Sequence, residues 1–233
     1  MISKNLNKVE EKILASCRKS GRNRSEIRLI AVSKTHSINE IEEVLNTGIT
    51  DLGENKAQEL NGKFPQIAKS VNWHFIGHLQ TNKVKYIIEP AEFIHSIDSI
   101  KLAAEINKRA NGINKTQKIL LEIKTSDEAS KFGLTDEDKI FEVAEFCKNC
   151  ESLDLVGLMT MAPYSSEENI IRNCFVKLRN TKDTLNQKGF NLKELSMGMT
   201  NDYEIAIEEG ATMIRVGTAI FGERDYSTSS KVI

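Results

Sequence analysis

Short apolar runs recur eight times along this chain, each followed by a polar exit and then a helical pattern. No other feature constrains the fold as tightly. A strand buried on both faces, as in a parallel sheet flanked by helices, reads as a continuous apolar run, whereas a half-solvated strand alternates. The first such run is Leu29-Ile30-Ala31-Val32-Ser33-Lys34-Thr35. Behind it, Ser37 and Glu40 have capping-box spacing and open a helix with Ile38, Ile41, Val44 and Leu45 on one face, ended by Gly48. Further strands are expected at 49–52, 71–76, 93–97, 117–123, 153–158, 192–195 and 212–216. The helix starts between them are expected at Asp98, at Thr135 with the acidic Asp136, Glu137 and Asp138, at Ser165 with Glu168, and at Asn201 with Glu204. A helix over about residues 3–19 precedes the first unit, and a polar tail over about 227–233 follows the last.

Eight uninterrupted strand-then-helix units in 233 residues predict one α/β domain over 1–233, a closed (β/α)8 TIM barrel. An open doubly wound sheet would carry a glycine-rich phosphate turn after its first strand, and Ser33-Lys34-Thr35 is no such turn. The formal charge of -1 gives no global field for nucleic acid or an anionic membrane. The basic cluster from Arg18 to Arg24 has no interleaved aromatics and reads as a solvated helix end. No run reaches the roughly 18 apolar residues of a membrane span. The N-terminus lacks the apolar core of a signal peptide, so a cytoplasmic protein is expected. Cys147-x-x-Cys150 has the spacing of a zinc or redox half-motif, but it stands alone at a helix C-terminus, where the dipole disfavours a thiolate.

In such a barrel the segments after the strands share one face. They comprise Lys34, Asn55, His78 and Asn82, Ser96, Met159 and Thr160, Ser196 to Thr200, and Arg215 to Thr218. Barrels often bind phosphate after strands seven and eight, where Ser196-x-Gly198-x-Thr200 and Gly217-Thr218 supply hydroxyls and approachable backbone N–H groups. Arg215, costly to bury alone, is expected either to pair with Glu204 or Glu223 or to donate to a ligand ring nitrogen or phosphate. A lysine at the mouth of a buried strand can attack a carbonyl. An amine, a phosphate cradle and an arginine between them outline a ligand with an aldehyde at one end and a phosphate at the other. Pyridoxal 5′-phosphate (PLP) fits, and so does a sugar-phosphate in a Schiff-base aldolase, although those enzymes more often carry their lysine on a later strand.

The blocks Ala31-Val32-Ser33-Lys34-Thr35, Gly53-Glu54-Asn55, His74 to Lys83, Gly157-Leu158-Met159, Leu195 to Asp202 and Ile214 to Gly222 together closely resemble the pyridoxal phosphate homeostasis protein family. The resemblance runs from about Leu29 to Tyr226. It implies a barrel of the alanine racemase N-terminal type (fold type III of the PLP proteins), without a second β domain. It also implies Lys34 as the covalent Schiff-base lysine, Ser196, Gly217 and Thr218 as phosphate ligands, and Arg215 as the partner of the pyridine nitrogen. Asn55, Met199 and Thr200 are placed around the cofactor. His78 stands where relatives often carry proline.

An arginine facing the ring nitrogen keeps it unprotonated, which makes the ring a poor electron sink. A racemase also needs a second acid or base on the opposite face. Tyr164, the one tyrosine in an exit loop, is expected to pack at the rim. The expected function is therefore a PLP-binding protein of vitamin B6 homeostasis that holds the cofactor for buffering or for delivery to PLP-dependent apo-enzymes. The alternative is a monomeric PLP-dependent amino-acid racemase or lyase. Nothing reads as an obligate interface, and a monomer is expected.

Overall fold

A computed structural model describes residues 1–68, 70–126 and 132–223. The polar tail and part of the connection after the fifth strand fall outside the described residues. The chain opens with α1 (Ile2–Ser20), whose apolar face of Leu6, Val9, Ile13 and Cys17 is buried. Gly21 ends the helix in the left-handed conformation at φ 68°, which costs a glycine little. Then follow β1 (Arg28–Val32), α2 (Ile38–Leu45), β2 (Asp51–Glu54), α3 (Ala57–Lys63), β3 (Asn72–Phe75), α4 (Val84–Ile87), β4 (Ala91–Ile97) and α5 (Ile100–Asn111). The second half comprises β5 (Gln117–Glu122), α6 (Glu137–Lys148), β6 (Leu153–Met159), α7 (Glu168–Gln187), β7 (Glu194–Met199), α8 (Tyr203–Glu208), β8 (Met213–Val216) and α9 (Thr218–Phe221).

The eight strands pair in chain order, all parallel, and β8 returns to β1 with Ile30 opposite Arg215, so the expected barrel is closed. The larger apolar core lies between strands and helices, as double-sided burial of the strands requires. The barrel interior holds only a small apolar cluster of Ile30, Phe93, Leu120, Met159 and Met213. Gly157 is needed on β6 because a Cβ there would lie 2.0 Å from the Glu194 carbonyl oxygen.

Several local expectations are corrected. The predicted cap of α2 is present, with Ser37 and Glu40 bonded reciprocally. The cap of α5, however, is Ser99 rather than Asp98, its hydroxyl accepting from the Leu102 N–H. Ser165 accepts from the Glu167 N–H one turn early, so α7 begins without the expected Ser165–Glu168 box. Asp202 rather than Asn201 precedes α8, and it spends an oxygen on the Met199 N–H. β2 runs two residues later than predicted, and β7 spans Glu194–Met199 instead of ending at 195.

The seam between the two ends of the chain is heavily tied. Asn5 donates to the Ile220 carbonyl, Arg22 donates to those of Ile207 and Ala211, and Lys12 and Lys19 pair with Glu204 and Glu208. The basic cluster after α1 is thus part of this seam, with Arg24 bound to Glu10. Among the described residues no helix is long and apolar enough to cross a membrane. All four cysteines are free, and burial pushes the Cys147 thiol up to about 12, far from a reactive thiolate.

Candidate functional site

A cavity of about 440 Å³ opens at the C-terminal ends of the strands, where barrel folds carry their sites. Lys34, Asn55, His78, Met199, Thr200, Arg215, Gly217 and Thr218 all line it, so most of the residues expected to act together do meet. Among the described residues, Lys34 is the one lysine that lines it. It sits in the turn just beyond β1, half-buried, above the level at which Arg215 enters the barrel from β8.

The Lys34 turn is built with care. Thr35 has φ 69°, a left-handed conformation that a β-branched residue adopts at a cost of about 1–3 kcal/mol. A buried ionic network holds it there. Lys63 Nζ donates to the Ser33 carbonyl, to Glu54 Oε1 and to Glu59 Oε1, each at 2.7 Å. Glu54 also accepts from Ser33 Oγ at 2.7 Å, and Glu59 accepts the Thr35 N–H at 2.5 Å. The residues on both sides of Lys34 are therefore pinned from below. Beside them His36 stacks on Phe221 at 4.2 Å and is held by Glu40, which joins the turn to α9.

At the opposite side of the cavity, Gly198 at φ 93° lets β7 pass close to α8, because a Cβ there would lie 2.6 Å from that of Ala206. This close passage brings Thr200 to the cavity. Gly217 caps α9, whose first N–H groups have no carbonyl partner within the helix, and Thr218 adds a hydroxyl. Both segments line the cavity with hydroxyls and the start of a helix.

Ser196 does not line the cavity. It lies inside β7, fully buried, and its hydroxyl accepts from Arg215 Nη1 at 2.5 Å and meets His95 Nδ1 at 2.9 Å, so its expected role as a phosphate ligand is replaced by an interior one. Asn82, Ser96, Met159 and Thr160 do not line the cavity either. Met159 belongs to the interior cluster, and the Thr160 carbonyl accepts from Arg215 Nη2 at 2.8 Å. Tyr164 does line the mouth, but it is 92% exposed and so does not pack at the rim as expected. His78 stacks on Phe132 at 3.8 Å, making an aromatic lip.

Arg215 is 4% exposed and forms no ion pair with Glu204 or Glu223. Burial pulls it down to about 10, against the attraction of Asp202 and Glu122, so it remains a cation at neutral pH. Three donations go to protein oxygens, and a guanidinium has five N–H groups, which leaves capacity for a ligand.

Glu122, at the end of β5, is a residue that the pattern of strand exits passed over. It lines the cavity, is 3% exposed, and its Oε2 has no partner. Burial first, and the nearby Asp98 second, push its carboxyl up to about 7. The signal in the sequence was a lone carboxylate closing the run Ile119-Leu120-Leu121. Because its pKa is raised on folding, the stability Glu122 contributes is complete below about 4.5 and is lost as pH rises through about 7. Glu122→Gln should therefore stabilise the protein by a few kcal/mol at pH 8 relative to its effect at pH 5. Urea unfolding at the two pH values measures this, and an equal effect at both would refute the burial of a charged Glu122.

Comparison with known proteins agrees with this geometry. Residues 5–225 match the family model described as alanine racemase, N-terminal domain. The pyridoxal phosphate homeostasis protein of Aquifex aeolicus is 42% identical over 224 residues, covering 95% of this chain and 97% of its own. A crystal structure of an unknown protein from Bifidobacterium adolescentis superposes with TM-score 0.86 at 35% identity, covering 94% of each chain. PipY of Synechococcus elongatus, solved with PLP bound, superposes with TM-score 0.81 at 32% identity over 92% of this chain and all of its own. With end-to-end matches at this level, and with the lysine turn, Arg215, Thr200, Gly217 and Thr218 gathered at one barrel mouth, the chain belongs to the pyridoxal phosphate homeostasis protein family.

Proposed function

We propose that this protein binds pyridoxal 5′-phosphate reversibly on Lys34, acting in the cytoplasm as a monomeric buffer for the reactive aldehyde and as a donor to apo-enzymes that need it. One observation carries this reading. A single cavity of ligand size presents an amine, a buried guanidinium and an anion cradle, the donor set that an aldehyde, a ring nitrogen and a phosphate require. The PLP-bound relative is 32% identical over nearly the whole chain, which supports the same ligand here.

When bound, PLP supplies an aldehyde and an electron-accepting ring. The chain's own residues limit the use of that ring. Arg215 is a cation with no acceptor, so it donates to a ring nitrogen and leaves it unprotonated, whereas a carboxylate in its place would favour protonation. Thr200, Gly217 and Thr218 hold the phosphate, Asn55 and Met199 line the ring's surroundings, and the pinned turn presents the Lys34 amine. The arrangement favours retention over turnover.

Borohydride reduction of the PLP-loaded protein, followed by peptide mapping, tests the attachment. The label is expected on Lys34. A label on any other lysine would reject the assignment. One observation favours a second reading, an amino-acid racemase or lyase: Glu122 can hold or give up a proton near neutral pH inside the same cavity. Exchange of a substrate's Cα proton with deuterated solvent, faster than with free PLP and lost in Glu122→Gln, would favour that activity over pure carriage.

A further inference from the structure

A continuous chain of hydrogen bonds crosses the barrel interior. Asp51 Oδ1, at the start of β2, meets His74 Nε2 at 2.9 Å, and His74 Nδ1 meets His95 Nε2 at 2.9 Å. His95 Nδ1 meets Ser196 Oγ at 2.9 Å, and Ser196 Oγ accepts from Arg215 Nη1 at 2.5 Å. The step from His95 on β4 to Ser196 on β7 joins two strands that are not neighbours in the barrel. Both imidazoles are fully buried.

Donor inventory fixes the protons along this chain. Arg215 can only donate, and the Asp51 carboxylate can only accept. Burial works against the Asp51 charge, yet the hydrogen bond from His74 and the nearby Arg28 guanidinium keep its pKa below the usual carboxylate value. Burial lowers both histidines below the ordinary imidazole value, which favours the neutral form of each above neutral pH, with one donor and one acceptor. His74 must then donate from Nε2 to Asp51 and accept at Nδ1. His95 donates from Nε2 and accepts at Nδ1, Ser196 donates to it, and the serine lone pair faces Arg215. Every bond points the same way, from the cation at the cavity floor to the anion at the far end of the barrel. Such aligned bonds polarise one another.

We propose that Asp51, His74, His95 and Ser196 are positioning residues for Arg215, a polarised relay that fixes the guanidinium and sets how strongly it donates to the cavity. The proposal rests on the reading that Arg215 meets the cofactor's ring nitrogen. Four polar side chains inside a barrel displace apolar packing, and this relay explains why the interior cluster is so small. It also gives Asp51, a barrel's length away, a route to the ligand's electronic state.

Two measurements test the relay. In the protein without added cofactor, nitrogen-15 NMR of the imidazoles should show both His74 and His95 as neutral Nε2–H tautomers, unchanged between pH 7 and 8. An Nδ1–H tautomer or a titration in that range would overturn the relay without need of any variant. In PLP-loaded protein, Asp51→Asn and Ser196→Ala should shift the visible absorption maximum in the same direction as Arg215→Lys. If Arg215→Lys shifts the band and the other two do not, the relay is refuted while the role of Arg215 stands. If none of the three shifts it, the ring-nitrogen reading itself fails, and the positioning role with it.

Discussion

Lys34→Ala should abolish the visible absorption band of the PLP-loaded protein and weaken PLP retention by about 100-fold or more, roughly 2.7 kcal/mol of binding. The effect is large because Lys34 is the one lysine among the described residues that lines the cavity. The fold should survive, since Ser33 and Thr35 on either side of the lysine pin the turn. Residual binding should remain through Thr200, Gly217, Thr218 and Arg215, and phosphate should compete with it. Equilibrium dialysis with absorption spectra checks both parts. A band of undiminished intensity in the variant would show that Lys34 is not the attachment point.

Lys63→Met should cost about 3–5 kcal/mol of stability, the usual penalty for removing one partner of a buried ion pair. Lys63 serves three acceptors at once, and Glu54 beneath it is completely buried with one oxygen already unpartnered. Burial raises the Glu54 pKa against the pull of Lys63, and without the lysine that rise becomes larger. Neutral Glu54 is tolerated at low pH, so the cost should be smaller at pH 5 and larger at pH 8. Glu54→Gln in the Lys63→Met background should recover part of the loss, and urea denaturation of the four proteins closes the cycle. A single variant within about 0.5 kcal/mol of wild type would mean that the network is not a structural support. The same variant frees Thr35 from its left-handed conformation, so borohydride labelling of Lys34 should slow.

The barrel was legible in the sequence because its strands are buried on both faces and write themselves as apolar runs. What the pattern could not show was where polar residues enter the interior. Ser196 and Gly198 read as loop chemistry and cut the predicted seventh strand short at 195, whereas the chain continues as strand to Met199. Ser196 is paired inside the barrel, and its hydroxyl is satisfied by two side chains from other strands. Those partners, His95 and Arg215, lie 101 and 19 residues away, a relation no local window contains. Glu122 was missed for a related reason: its carboxylate closes β5 within the predicted strand, directly after the apolar run Ile119-Leu120-Leu121, rather than in the exit beyond it. By contrast the meeting of Lys34, Asn55, Thr200, Gly217 and Thr218 at one cavity was legible from position alone, since barrel topology assembles the strand exits before any side-chain detail matters. The helix starts at Ser165 and Asp98 were misplaced by one or two residues, where several capping side chains compete within one turn.

The seam that ties α1 to α8 and α9 also sets an order of events during synthesis. β1 carries the lysine turn and emerges early, but its barrel neighbour β8 and both segments of the anion cradle lie near the end of the described chain. Contacts of such long sequence separation form late and slowly. A partly synthesised chain therefore displays the amine without the cradle or the arginine. Tight capture of an aldehyde phosphate is withheld until the first helix closes against the last ones, because a ribosome-bound fragment ending before β8 lacks Arg215, Gly217 and Thr218.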